Sequence, residues 1–414
     1  MDNIFNEFFN VKTRKEVEKI IETALTPLED VIVPLHDALN RISAITVLAP
    51  EPLPPFSRST VDGYAVKSED TFGASEGFPA ILTVTGKISI GTLPDAPLKR
   101  GHAMAIPTGG ALPEGADAVV MVEHTESPDP SLVEIFRPAS PLENVIQAGE
   151  DIKKGEDVIM KGQRIRPQEM GLLAALGITQ LPVTKTPTVG IISTGNEIVD
   201  TDTEPMPGQI RDINRFTLKG LVERSGGKSV FLGLTPDDEK AIKDTTERGL
   251  PTCDLLLLSG GSSVGIRDLT LNVLESLPEF TLLVHGVAVS PGKPTVLAKV
   301  GGKLVFGLPG HPVSTWVIAH LFVTKAIHVL QGANLDDTLK WERATVTENI
   351  PSAQGREDFI RAKIKRVEGK RVATPIFSKS GIISSLVVAN ALIRIPLNSE
   401  GVYKGDEVDI LMLI

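Results

Sequence analysis

From residue 187 to residue 331 the chain alternates short apolar runs with amphipathic segments, and no other feature restricts its architecture as much. The apolar runs are Val189-Gly190-Ile191-Ile192, Ser229-Val230-Phe231-Leu232, 255–258 (four leucines) and Leu304-Val305-Phe306. Helical spacing lies between them at 213–225, 238–248 and 269–277. Strands alternating with helices predict a mainly parallel sheet covered on both faces. Ligands of such a sheet gather at the carboxyl ends of its strands, so the loops at those ends are the first place to look for chemistry.

The flanking regions read differently. Val17, Ile20, Ile21 and Leu25 fall at helical spacing within 12–26 and predict a helix that stops before Pro27. A second helix is expected over 36–43. From 50 to 141 the chain is rich in Pro and Gly, with β-type runs at 81–85, 104–106 and 118–122, which predicts a small β domain. A further helix opens at Pro167 and ends near Gly177. After Lys340 short alternating strands at 344–347, 358–363 and 391–395 point to a closing β-barrel. A chain of 414 residues exceeds one ordinary core. The expected organisation is therefore multidomain α/β plus β: 1–49 with 142–186 as a discontinuous mixed domain, 50–141 inserted into it, 187–335 as a three-layer αβα domain, and 336–414 as the barrel.

A formal net charge of −10 disfavours nucleic acid and anionic membrane as partners, because the summed field repels both. An anionic small molecule would need local devices such as backbone N–H groups, helix N-termini or a divalent cation. The single cysteine, Cys253, rules out an intrachain disulfide and reads as a core filler. The N-terminus shows no basic segment followed by an apolar one, and the apolar stretch 313–330 is interrupted by His320, Lys325 and His328, so a core helix and a cytoplasmic protein are expected.

The strongest local signal is Leu258-Ser259-Gly260-Gly261-Ser262-Ser263-Val264-Gly265 followed by Asp268, a buried strand delivering glycines and hydroxyls just ahead of a helix. Glycines let N–H groups approach an oxyanion, and serines add donors without bulk. The pattern is neither a Walker loop nor a dinucleotide fingerprint, which argues against a generic dehydrogenase. A plain strand-to-helix turn is the competing reading. A second strand end supplies Ser193-Thr194-Gly195-Asn196-Glu197. Asp237 and Asp238 follow a third, where they would either face the ligand or cap the next helix. Glu197, Asp237 and Asp268 around one crevice would suit a hard divalent cation. Two more loops, Ser290-Pro291-Gly292-Lys293-Pro294 and Gly307-Leu308-Pro309-Gly310-His311-Pro312, could hold phosphate or a ring edge, with a solvent-facing His311 as the alternative. Outside this region Ser59-Thr60-Val61-Asp62-Gly63-Tyr64, Pro107-Thr108-Gly109-Gly110 and Gly149-Glu150-Asp151-Ile152 are polar loops. Asp62-Gly63 could equally be a hairpin turn.

Taken in order, these segments resemble the motifs of the MoeA family of molybdopterin molybdenumtransferases across nearly the whole chain. The resemblance implies an elongated four-domain subunit, with a domain similar to the smaller molybdopterin adenylyltransferase. It also implies a homodimer whose active cleft is completed by the partner's insertion. The implied reaction inserts molybdate, or tungstate, into adenylylated molybdopterin with Mg2+ and releases AMP. By position, Asp62, Thr108, Asp151, Glu197, Asp237 and Asp268 would be catalytic. Ser193, Thr194, Gly195, Ser259, Gly260, Gly261, Ser262, Ser263, Gly265, Pro291, Gly292, Lys293, Gly310, His311, Arg361 and Ser380 would bind the substrate, and Glu197 with Asp268 would hold the metal. Transient contact with the adenylyltransferase or with apo-molybdoenzymes is a further implication. Three positions depart from the pattern: Asn196 where Asp is frequent, Ser290 where many members have Lys, and His311 where Asn is usual. The alternatives are an adenylyltransferase and a scaffold of the gephyrin type.

Overall fold

The computed structural model describes residues 11–260, 264–335 and 340–413. Its central sheet has six strands in the order Lys228–Thr235, Thr188–Thr194, Leu255–Ser259, Lys303–Leu308, Val296–Val300, Thr281–His285. The first four are parallel, as expected, and the last two are joined on by antiparallel pairings at one edge. Both faces of this sheet are buried. Val189, Ile191, Leu255, Leu257 and Phe306 pack on the side of the helices Asn214–Arg224 and Pro312–Ile318. Ile192, Leu256, Leu258 and Val305 pack on the opposite side with Ile242, Val273 and Leu274. Cys253 is part of that second core, and burial pushes its thiol pKa up.

The helix predicted over 12–26 forms at Arg14–Ala24, opened by a Thr13–Glu16 capping box. It lays Val17 and Ile21 into the α/β core. The stretch Pro312–Leu330 is long and apolar enough to cross a membrane, yet 78% of it is buried inside the protein, so it is a core helix. The helix expected over 36–43 does not form. Only a 3-10 turn, Leu35–Asp37, is present; Asn40 then takes φ 63, and Ile42 and Ser43 bridge to Arg164 and Val183. Pairing to residues more than a hundred positions away wins over the local spacing there.

Strand Asp30–Pro34 pairs with Gln180–Thr184, and Val47–Leu48 with Asp157–Ile159, so the two flanks of the insertion are joined by hydrogen bonds. The insertion carries its own six-stranded sheet, with Gly63–Val66 between His102–Ile106 and Ala118–Met121. Asp62-Gly63 is therefore not a hairpin turn. Gly63 begins a central strand, and a Cβ there would lie 1.9 Å from the Val120 carbonyl oxygen. At the C-terminus Glu357–Val367, Lys370–Pro375, Trp341–Val346, Glu407–Met412 and Ala391–Ile395 form a closed ring, the first and last strands pairing to shut a five-stranded barrel. The short strand Val289–Ser290 pairs with Glu357–Asp358 and hydrogen-bonds the α/β domain to the barrel.

Candidate active site

The strand order reverses at Thr188–Thr194, which has Lys228–Thr235 on one side and Leu255–Ser259 on the other. In an open α/β sheet the crevice at such a reversal binds the ligand. Ser193 and Ser259 sit directly opposite each other in register at that point. The loops that follow touch: a Cβ on Gly260, at φ +147°, would stand 2.1 Å from the Thr194 carbonyl oxygen. Glycine is required for that approach.

On the outer side of the crevice Asn196 and Asp237 clasp one another. The Asn196 N–H donates to Asp237 Oδ2 at 3.3 Å, and the Asp237 N–H donates to Asn196 Oδ1 at 3.1 Å. Asp237 Oδ1 is buried without a hydrogen-bond partner among the described residues. Burial, and then the neighbouring Glu197 charge, raise the Asp237 pKa. The two adjacent aspartates thus divide the roles that the sequence left open. Asp238 caps the helix Glu239–Gly249 through the Ala241 N–H at 2.8 Å, while Asp237 remains beside Glu197.

The donor set around Glu197 and Asp237 is all oxygen and carries an uncompensated carboxylate. It fits a hard divalent cation that keeps part of its water and takes other ligands from phosphate. Among the described residues no group of three or more His, Cys, Asp and Glu is arranged to hold a metal by itself. Gly261, Ser262 and Ser263 lie outside the described residues, as does the side chain of Asp268, while Gly265 lies in the first turn of the helix Val264–Glu275.

A second cluster lies where the α/β domain meets the barrel. His311 Nδ1 is 2.9 Å from Ser380 Oγ, and the Val313 N–H donates to the Ser380 carbonyl at 3.0 Å. His311 is thus solvent-facing but partnered. Arg361, only 6% exposed, donates through Nη2 to the Ser378 carbonyl, while its Nε is buried with no partner among the described residues. Burial lowers its pKa. A guanidinium whose buried Nε–H is unused at such a junction is suited to an anion. Pro291 and Gly292 follow a cis peptide at Ser290, and Gly292 packs so tightly that a Cβ would meet Ile318 Cγ1 at 2.3 Å. This leaves Lys293 exposed on a fixed turn.

The third group comes from the first 177 residues of the chain. Asp62 Oδ1 accepts from the Thr108 N–H at 2.7 Å and from Thr108 Oγ1 at 3.0 Å, and these bonds hold its carboxyl below the usual range. Asp151 lines an open cavity of about 490 Å³ with Pro54, Phe56 and Arg58. Among the described residues no hydrogen bond or ion pair joins Asp62, Thr108 or Asp151 to the crevice of the α/β sheet within one chain.

Two residues of the crevice are not singled out by the sequence reading. Asn214 is buried, its Nδ2 donating to Ser259 Oγ at 2.9 Å and to the Gly310 carbonyl at 2.8 Å. Asp212 is buried with Oδ2 unpaired among the described residues, as are Ser193 Oγ and Asn214 Oδ1. Their only signal in sequence is the polar start of a helix, which many helices share.

Three family models match in chain order: the MoeA N-terminal region (domain I and II) at residues 12–177, the "Probable molybdopterin binding domain" at 190–329, and the MoeA C-terminal region (domain IV) at 343–413. The molybdopterin molybdenumtransferase of Bacillus subtilis is 34% identical, with 92% of this chain and 89% of that protein covered. The chain belongs to the MoeA family. The Haemophilus influenzae molybdopterin molybdenumtransferase agrees at 33% identity, over 95% of this chain and 96% of that one. A crystal structure of the MoeA protein from Pyrococcus horikoshii superposes with TM-score 0.84 at 35% identity, covering 97% of this chain and 100% of that one. In MoeA terms, the crevice at the strand reversal falls within the molybdopterin-binding region, Asp62 and Thr108 within the N-terminal region, and Arg361 and Ser380 within the C-terminal one.

Proposed function

We propose that this protein is a transferase of molybdenum cofactor biosynthesis that inserts molybdate into adenylylated molybdopterin and releases AMP. One observation supports this above the others: the loops after Thr188–Thr194 and Leu255–Ser259 meet at the strand reversal, leaving polar atoms of Ser193, Asp212, Asn214 and Asp237 buried and unpaired among the described residues. Buried polar atoms without partners are costly, so a polar ligand at this point accounts for them.

In this reading Ser193, Thr194, Gly195, Ser259 and Gly260 cradle the nucleotide-tagged substrate. Glu197 with Asp268 would hold Mg2+, with Asp237 alongside. When bound, that cation would neutralise phosphate charge and let two anions approach. Arg361, Ser380 and His311 close the barrel side and donate to oxyanions. Asp62, Thr108 and Asp151 reach the cleft from the partner subunit of a homodimer, where Thr108 donates to oxyanions while Asp62 and Asp151 orient the dithiolene or a water. The work of the chain is positioning and charge neutralisation, with no covalent side-chain nucleophile. A cytoplasmic location, expected from the sequence, goes with this reading.

The test is to incubate the purified protein with adenylylated molybdopterin, Mg2+ and molybdate, or tungstate in its place, and to follow AMP. AMP release that depends on the oxyanion is expected. No release with either oxyanion would overturn the reading, and net consumption of ATP with molybdopterin would favour an adenylyltransferase.

A further inference from the structure

We infer that Asn214 is a positioning residue for the transfer reaction, fixing the direction in which the Ser259 hydroxyl donates; the inference rests on the crevice being the substrate site. The Gly310 carbonyl can only accept, so the amide atom facing it at 2.8 Å must be the NH2 group. The other hydrogen of that group then goes to Ser259 Oγ at 2.9 Å. An oxygen that accepts from Asn214 keeps its own proton unengaged, and Ser259 is given no acceptor for it among the described residues. Ser259 is the last residue of its strand and is almost fully buried. Its proton is therefore held for an oxyanion at the strand end, and rotation towards Asn214 is blocked.

The same side chain joins two neighbouring strand ends. Ser259 and Leu308 are register partners, and Gly310 precedes His311, whose ring is bonded to Ser380 of the barrel. Asn214 is the first residue of the helix Asn214–Arg224, which packs on this sheet. One buried amide thus ties the glycine-serine loop, the Gly310-His311 turn and a helix start together. Its Oδ1 remains unpaired among the described residues.

Asn214→Asp preserves size but removes both donors. A carboxylate there repels the Gly310 carbonyl and draws the Ser259 proton to itself, turning the hydroxyl away from the ligand. The experiment compares wild type, Asn214→Asp, Ser259→Ala and the double variant, with melting temperature recorded for each. It reads kcat and KM for AMP release, and AMP affinity by calorimetry. Asn214→Asp should lower kcat and weaken AMP binding by about 10- to 100-fold, the worth of one hydrogen bond to a charged group, with the KM for molybdate little changed. In the Ser259→Ala background the same substitution should cost several-fold less than in the wild type, because the part of the loss that passes through Ser259 is already gone and only the repulsion of the Gly310 carbonyl remains. A purely structural role would instead give losses that multiply in the double variant, accompanied by a fall in melting temperature. Multiplying losses, or Asn214→Asp kinetics and AMP affinity within twofold of wild type, overturn the inference. Wild type that binds AMP but releases none from the adenylylated substrate refutes the proposed reaction while the affinity comparison still decides on Asn214. Wild type that does neither overturns both.

Discussion

A methyl group at position 260 has no space to occupy. With the Thr194 carbonyl oxygen 2.1 Å and Thr194 Oγ1 2.2 Å from where that carbon would sit, Gly260→Ala must push two strand ends apart. The neighbour is backbone in a buried parallel sheet and yields poorly. A loss of about 1–3 kcal/mol of stability is expected, with a larger fall in AMP binding. Gly91→Ala is the control: its φ is +83 but nothing lies within 4 Å, so only the backbone strain of about 1 kcal/mol applies. Equal unfolding midpoints in urea for the two variants would refute the packing argument. Glu357 gives a second residue-scale test. It accepts from Arg14 Nε at 2.8 Å and from Arg394 Nε at 2.8 Å, and both guanidinium groups lie over Trp341. Glu357→Gln leaves Arg14 with Glu18 and Arg394 with Asp409 as their remaining counter-charges, so the loss is that of the charge-assisted hydrogen bonds and should cost about 1.5–3 kcal/mol. A measured cost below ~1 kcal/mol would mean the ion pair is only a surface-like contact.

At the scale of elements, Pro312–Leu330 carries two imidazoles into an apolar setting, interrupted by a π-turn over Ala319–Val323. His320 stacks on Trp316 with ring centroids 4.7 Å apart. Burial, and then Arg224, hold the His320 pKa at about 4; burial, then Arg164 and Lys325, do the same for His328, also at about 4. Both folded values lie below the ordinary 6.5, so between pH 6.5 and 4 the unfolded chain binds more protons than the folded one. Stability contributed by the neutral rings is complete above pH 6.5 and drains away as pH falls to about 4, by up to about 3 kcal/mol for each. A His320→Phe, His328→Leu double variant should show a flatter melting temperature between pH 7 and pH 4.5 than wild type. Parallel curves would refute the assignment. The existence of this helix was legible from Pro312 and the apolar run, as were the four parallel strands and their glycine-rich ends, because those depend on local spacing. The failed helix at 36–43 and the antiparallel edge Thr281–His285 were not, since partners from distant sequence decide them. Nor were the contacts within the candidate site, Asn214 to Ser259 and His311 to Ser380, which span 45 and 69 residues, or the stabilising pair of Arg14 and Glu357, which spans 343.

For the whole molecule, the partition of candidate residues into separate groups sets the decisive question. Within one chain the crevice of the α/β sheet gathers Ser193, Thr194, Ser259, Asn196, Glu197 and Asp237, and the barrel adds Arg361 and Ser380 at its margin. Asp62 and Thr108 hold each other on the inserted sheet with no bond to that crevice among the described residues. If a two-fold partner supplies the insertion, each cleft of the dimer draws Glu197 from one subunit and Asp62 from the other. Asp62→Ala and Glu197→Ala should each abolish AMP release while leaving the fold intact, because both side chains are exposed. Unfolding the two variants together and refolding them as a mixture yields hybrid dimers in which one cleft carries both lesions and the other neither. With random pairing, half the dimers are hybrids with one intact cleft of two, so activity should return to about a quarter of wild type. A cleft built within one subunit makes a different prediction: every subunit carries a lesion in its own cleft, and the mixture stays as inactive as its parents. Recovery near a quarter, with a dimer mass in solution, supports sharing; an inactive mixture of well-exchanged dimers refutes it.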